Sequence, residues 1–204
     1  MAPENIITQS EDPFAELESG IHATLETYSN VHRGSGHNSL VSTYLYEKAR
    51  EIVLDYMELD SSRYVVIFCS PGRAEILGNQ LKPGNYKIAS SNEIGLPLGV
   101  RALAVKKNRL PSGAPFQTGG GTTTLVAPGY VIWAKAPDRF EAGTPTIINV
   151  IAFARALKMI KKAGKNVFAG ISEQKFTVSD ILYDDELKEY SGDELLSRLK
   201  QTLL

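Results

Sequence analysis

Apolar residues recur every three or four positions along much of the chain, which is the spacing of amphipathic helices. This spacing predicts helices at 14–25, 40–57 and 72–81, the last of which follows a proline. Between the second and third helices lies the run RYVVIFC at 63–69. Because this run is apolar and β-branched without alternation, we predict a strand that is covered on both faces.

Three more runs have the composition of strands. They lie at 86–90, 99–106 and 130–136. Together with the run at 63–69, they predict one central sheet with helices packed on it. The expected fold class is therefore mixed α/β.

The longest apolar helix is expected in the second half of the chain. Thr144 followed by Pro145 is typical of an N-cap and a first helical position. The residues that follow are apolar on nearly every side, so we expect this helix to be buried, and the basic and glycine residues at 161–164 predict its end. Two short acidic-to-basic helices are predicted after it, at 177–190 and 191–204.

Composition and charge exclude several classes of protein. With 22 basic and 23 acidic residues the formal net charge is −1. The chain therefore lacks the excess of positive charge that is typical of proteins that bind nucleic acid or anionic membranes. The single cysteine, Cys69, excludes a disulfide framework and indicates a small core residue. The polar start and the lack of any apolar run near ~20 residues favour a cytoplasmic protein. We expect one domain over 1–204, with 1–12 disordered.

Three stretches are more specific than composition. They read SNVHRGSGHNSLVSTYLYEKAREIV at 29–53, PFQTGGGTTTLV at 115–126 and APDRFEAGTPTIINVIAFARAL at 136–157. In this order they resemble the class V aminotransferases, the pyridoxal-phosphate family that includes the cysteine desulfurases. The resemblance implies a reduced form of the pyridoxal-phosphate-dependent fold type I, a dimer, and transferase or desulfurase chemistry.

One part of the family pattern is missing from the interior of the chain. By resemblance, a series of βα units should carry the ring stacked on the cofactor, the aspartate facing its nitrogen and the Schiff-base lysine. Only residues 69–96 are present there, although each such unit takes ~30 residues. Asn92 and Glu93 fall where the family has its His-Lys pair, and no lysine lies between Lys87 and Lys106. A glutamate cannot form an imine, so we expect pyridoxal phosphate by resemblance but no covalent adduct in this chain alone.

Two loops are candidates for binding an anion such as the cofactor phosphate. Successive glycine amides can converge on an anion, threonine hydroxyls add donors, and arginine can pair with phosphate through two hydrogen bonds. By resemblance, the glycine loop reaches the cofactor phosphate of a partner subunit, and the histidine loop faces the substrate side. The alternatives are a flexible loop and a solvent-exposed helix cap. The candidate cofactor-binding residues are Gly119, Gly120, Gly121, Thr122, Thr123, His32 and Arg33.

Other polar residues of the matched stretches are assigned structural roles, and no catalytic or metal-binding residue is predicted. Arg139 and Glu141 are expected to pair with each other. By resemblance, Arg73 and Ala74 stand where the family has its phosphate-binding threonine pair.

Two functions from different classes remain open at this point. The first is a class V aminotransferase or desulfurase-like protein that is inactive alone because the lysine and the cofactor units are missing. The second is a non-catalytic interaction or complementation module, either the N-terminal domain of a longer protein or the partner of another chain. In both cases we expect a homo-oligomer or a hetero-assembly, because the missing units would leave apolar sheet surface uncovered.

Overall fold

A computed structural model gives the structure of this protein. It describes residues 13–26, 28–31, 36–143 and 146–169. The predictions for 1–12 and for the two short helices at 177–190 and 191–204 lie outside the described residues. Among the residues that the structure describes, no helix has the length and apolar composition that crossing a membrane requires.

Four helices form where the apolar spacing predicts them. They are α1 (Pro13–Glu26), α2 (His37–Tyr56), α3 (Pro71–Gln80) and α4 (Ile147–Ala163). The N-cap residue of α4 is Thr146, so the prediction of Thr144 is wrong. The C-cap residue is Gly164, whose left-handed backbone (φ +66°) suits glycine.

A three-stranded antiparallel sheet forms the centre of the fold. Its strands are β1 (Tyr64–Cys69), β2 (Tyr86–Ser90) and β3 (Arg101–Lys106), in the order β1-β3-β2. Residues 64–69 of β1 pair with β3, and β2 pairs with the other side of β3. The outer edges of β1 and β2 therefore carry no further strand among the described residues.

The fourth predicted strand does not belong to this sheet, and that part of the prediction is wrong. Residues 130–133 form β5 (Tyr130–Trp133), which pairs with β4 (Thr123–Ala127) as a separate hairpin. Pro128 and Gly129 join the two strands, and the positive φ of Gly129 (+86°) is what a type II turn requires at its third position. This turn pairs β5 with β4, the strand just before it in the chain. Strand β4 was not predicted, because its sequence is rich in threonine and follows three glycines.

The sheet has a core on each of its faces. Val66 and Phe68 of β1 pack with α1, α2 and α4 on one face, whereas Ile67 packs with α3 on the other. The prediction that β1 is covered on both faces is confirmed. Helix α4 is also buried as predicted, with Phe153 and Leu157 fully excluded from solvent.

Candidate functional site

The C-terminal end of β1 borders a cavity of about 160 Å³. The chain passes there from Cys69 through Ser70 into α3, and residues 99 and 100 approach it just ahead of β3. The residues that line it are Tyr46, Phe68, Cys69, Ser70, Arg73, Gly99, Val100, Glu141, Ala142, Thr146 and Val150. The cavity therefore combines an apolar wall with a carboxylate, a guanidinium, a thiol and three hydroxyl groups.

The carboxylate of Glu141 holds together three elements around this cavity. The Nη1 and Nη2 atoms of Arg50 donate to its two oxygens at 2.6 and 3.1 Å, and Nη1 also donates to the Val66 carbonyl at 2.7 Å. The backbone N–H of Phe68 donates to Glu141 Oε1 at 2.6 Å, and the hydroxyl of Tyr46 donates to Oε2 at 3.0 Å. Helix α2, strand β1 and the turn before α4 thus meet at one buried carboxylate.

The opposite charge of Glu141 keeps Arg50 protonated although Arg50 is buried. Burial alone would disfavour the charged guanidinium, but the Glu141 carboxylate and its hydrogen bonds outweigh it and raise the pKa of Arg50. Burial, followed by the charge of Glu141, raises the pKa of Tyr46 well above its usual range. Tyr46 therefore stays protonated and remains a donor to the carboxylate, so the cluster is a structural element of the site.

The predicted pair between Arg139 and Glu141 is wrong. Arg139 Nη1 donates instead to the carbonyls of Ser112 and Gly113 at 2.5 and 3.1 Å, and its guanidinium lies 5.4 Å from the ring centre of Phe140. Arg139 and Glu141 are two residues apart at a 3₁₀ turn, which has about three residues per turn. Their side chains therefore point to different sides.

The triple-glycine loop is a closed turn that packs against the same segment. The Thr122 hydroxyl donates to the Gly119 carbonyl at 2.7 Å and accepts the Gly119 N–H at 3.2 Å. The Gly143 N–H donates to the Gly120 carbonyl at 2.8 Å, and Gly121 adopts a left-handed backbone with φ +90°. The hydroxyl of Thr122, which is fully buried, is therefore used inside the turn.

Arg73 connects the start of α3 to this loop region. Its Nε donates to the Gln117 side chain at 2.8 Å, and its Nη1 donates to the Ala142 carbonyl. By resemblance this residue and Ala74 occupy the position of a phosphate-binding threonine pair. In the structure the guanidinium instead ties α3 to the segments on either side of the glycine loop.

Cys69 is a small, partly buried residue, as the sequence predicts. It packs against the core on the α3 side of the sheet, and its Sγ lies 3.8 Å from the Arg101 carbonyl, to which it donates. Burial, together with the Glu141 carboxylate, raises the pKa of the thiol to about 12. The thiol is therefore neutral near pH 7 and has little of the thiolate character that a persulfide acceptor needs.

None of the residues that line the cavity is a lysine. Glu93, for which the resemblance predicts the position of the family's lysine, lies in a 3₁₀ turn (Asn92–Ile94) and is exposed. Its carboxylate forms an ion pair with Arg101 at 3.8 Å. Lys87 is exposed on β2, and Lys106 lies at the end of β3 that is remote from the cavity.

Several predicted residues cannot be placed, and one contributor was missed. His32, Arg33, Thr144 and Pro145 lie outside the described residues. Tyr46 was not singled out, although it stands four residues before Arg50 and therefore shares its face of α2. That spacing is the signal that could have assigned Tyr46 to the Glu141 cluster.

The comparisons with known proteins agree on one family. The aminotransferase class-V family model matches residues 86–196. A probable cysteine desulfurase of Staphylococcus epidermidis is 29% identical over 112 residues, which are 55% of this chain and 24% of that protein. A cysteine desulfurase of Escherichia coli O139:H28 is 33% identical over 86 residues, which are 42% of this chain and 21% of that protein. The chain thus matches less than a quarter of the length of either relative.

A solved structure supports the fold. The apo cysteine desulfurase of Thermococcus onnurineus NA1 aligns with a TM-score of 0.55 at 18% identity, covering 74% of this chain and 64% of that chain. This likeness confirms the predicted mixed α/β, fold type I architecture.

Proposed function

Because this chain belongs to the class V aminotransferase family, we propose that it is a non-catalytic member that acts as an assembly module. The observation that carries the proposal is the position of the family's Schiff-base lysine. By resemblance Glu93 stands there, and this residue is exposed and paired with Arg101 at 3.8 Å, whereas none of the residues that line the cavity is a lysine. A carboxylate cannot replace an amine in imine formation.

The family's cofactor is pyridoxal phosphate, and the described residues do not fit it. The cavity of about 160 Å³ is small beside the ~300 Å³ at which pockets for small molecules begin. Its carboxylate, Glu141, is already fully engaged by Arg50, Tyr46 and the Phe68 amide. The cavity therefore offers the cofactor neither enough volume nor a free carboxylate.

Binding of a simple anion at the glycine loop is the part of the family's site that we retain as a proposal. Because the Thr122 hydroxyl is used within the turn, the available donors are the backbone N–H groups of Gly120 and Gly121 and the hydroxyl of Thr123. His32 and Arg33 of a neighbouring subunit would supply the positive charge. Titration with inorganic phosphate, followed by amide chemical shifts, tests this; shifts confined to other loops would contradict it.

The proposed assembly forms either with a second copy of this chain or with another chain, and the term module covers both cases. A cytoplasmic location stays a prediction. The family match itself supports the competing function, a pyridoxal-phosphate enzyme, and the next experiment separates the two.

Borohydride reduction in the presence of pyridoxal phosphate tests the proposal. The full chain is incubated with the cofactor, reduced, digested and mapped by mass spectrometry. We expect only scattered, substoichiometric labelling of surface lysines, no greater than that of a urea-unfolded control. A stoichiometric pyridoxyl adduct on one lysine of the native protein would overturn the proposal and favour the enzyme.

A further inference from the structure

Six basic residues gather at the end of the central sheet that is remote from the cavity. The backbone N–H of Lys107 donates to the Arg63 carbonyl at 2.9 Å, and that of Lys106 donates to the Asn85 carbonyl at 2.9 Å. These two hydrogen bonds bring together the start of β1, the end of β3 and the turn before β2. The residues of this basic patch are Arg63, Lys82, Lys87, Lys106, Lys107 and Arg109.

The basic patch has little opposite charge among the described residues. Hydrogen bonds from Ser62, followed by the charges of Arg63 and Lys107, lower the pKa of the Asp60 carboxyl, so two of the cations lie near one exposed carboxylate. None of the six forms an ion pair with a carboxylate in the part of the chain that the structure describes. Cations held together in this way repel one another, and an anionic segment that covers them relieves the repulsion.

The complementary charge is present in the same chain, at 180–194. This acidic segment, DILYDDELKEYSGDE, contains seven acidic residues and one basic residue. The formal net charge of −1 therefore combines a positive sheet end with a negative segment. Because the two are tethered to each other, they meet at an effective concentration on the order of millimolar.

The chain between the core and the acidic segment is long enough to reach the patch. Phe168 is fully buried, and its carbonyl lies so close to Gly95 that a Cβ added there would come within 2.5 Å of it. Gly95 is eight residues from Lys87, so at most about 29 Å separates these two. The twelve residues from Phe168 to Asp180 span up to about 43 Å when extended.

We propose that the acidic segment 180–194 docks onto the basic patch of the same molecule. Its carboxylates lie against the lysines and arginines at the end of the sheet, and the docked segment excludes other anions from them. The inference goes beyond the proposed function, which concerns the site at the opposite end of the sheet.

A second group of basic residues, at the end of α4, is the competing surface. Its members are Lys158, Lys161, Lys162 and Lys165. Lys161 forms an ion pair with Asp55 at 2.7 Å, and cations in the last turn of a helix are stabilised by the negative end of its dipole. This group is thus partly compensated within the fold, whereas the basic patch has no ion pair among the described residues. The basic patch is therefore the better fit.

Zero-length crosslinking with a carbodiimide, followed by mass spectrometry, tests the proposal on the full chain. The reagent joins a carboxylate to an amine only where the two are in contact. We therefore expect links from 180–194 to Lys82, Lys87, Lys106 or Lys107. Raising the salt from about 0.1 M to about 1 M shortens the screening length from about 10 Å to about 3 Å and should lower their yield at least about fivefold.

Two charge-reversal variants separate the basic patch from its competitor. In Lys87→Glu/Lys107→Glu the yield of links to Lys106 should fall at least about tenfold, because like charges then face each other. Lys158→Glu/Lys162→Glu is the matched control: it makes the same change of charge on α4, and the links to Lys106 should persist. All four replaced side chains are exposed, and circular dichroism verifies that both variants fold.

Three results of these measurements would overturn the proposal. They are the absence of links to the basic patch, links mainly to Lys158 or Lys162, and an equal yield at Lys106 in wild type and Lys87→Glu/Lys107→Glu. A mixture of isotopically labelled and unlabelled protein then distinguishes one chain from two. We expect each linked pair of peptides to carry a single isotope composition; pairs that join labelled to unlabelled peptides would place the segment on a second copy and would also overturn the proposal.

Discussion

Replacing Arg50 by methionine is expected to destabilise the protein strongly. The guanidinium donates to both oxygens of Glu141, and the two side chains are each only 7% exposed. Methionine retains much of the apolar bulk that lies near the rings of Tyr46 and Phe68. The variant therefore removes the charge and its hydrogen bonds and leaves the carboxylate buried without its cation.

The magnitude follows from the cost of an uncompensated buried charge. Removing one partner of a buried ion pair costs about 3–5 kcal/mol of unfolding free energy. The amide of Phe68 and the hydroxyl of Tyr46 still bind Glu141, so we expect the lower part of that range. In the double variant Arg50→Met/Glu141→Gln neither of the two buried charges remains, and the two changes should couple by about 1–3 kcal/mol in the favourable direction.

Urea unfolding of the four proteins of this cycle, followed by circular dichroism, measures the effect. A loss of about 3 kcal/mol lowers the midpoint by roughly 1.5 M at an m-value near 2 kcal/mol/M. Lys48→Met on the same helix is the control: its ion pair with Glu51 is exposed, and its loss should leave the unfolding free energy nearly unchanged. The reasoning would be refuted if Arg50→Met cost no more than Lys48→Met, or if the cycle showed no coupling.

Three further predictions concern the core, the glycine loop and the thiol. Leu157→Ala should cost about 2–5 kcal/mol in urea unfolding because the side chain is fully buried, whereas Tyr44→Ala, at 66% exposure, should change stability by less than about 0.5 kcal/mol. Gly121→Ala should cost about 1–2 kcal/mol in the same assay because φ is +90°, whereas Gly113→Ala, where nothing lies within 4 Å of an added Cβ, should be nearly neutral. Burial raises the pKa of Cys69 from 9.0 to about 12, so the stability it contributes is complete below pH 9 and is lost towards pH 12. Unfolding free energies across this range should fall more steeply for the wild type than for Cys69→Ala; parallel curves would contradict the shift.

The helices and the central strands were predictable because their signals are local. The residues at 14–25 have the spacing of a helix, and the run at 63–69 is continuously apolar and β-branched, as in a strand covered on both faces. The pairing of β5 could not be predicted in this way, because the residues of a strand do not determine which other strand it pairs with. The turn at Pro128 and Gly129 was the informative signal, and it lies in the sequence.

The candidate site was predictable only in part. Arg50 and Glu141 both lie in stretches that carry the family resemblance, but their contact joins residues 91 positions apart and depends on the packing of α2 against the sheet. The internal use of the Thr122 hydroxyl depends on the closing of one turn, which residue types alone do not specify. The replacement of the family's lysine by Glu93, by contrast, is inferred from the sequence alone and stays a prediction.

Absorbance of the full chain during titration with pyridoxal phosphate tests the central claim most directly. Imine formation with a lysine produces a new absorbance band near the visible edge. The presence or absence of this band therefore reports whether the chain has a lysine that can replace the family's Schiff-base lysine. We predict a spectrum equal at every step to the sum of the protein and the free cofactor. A new band that saturates at one equivalent per chain would contradict the account.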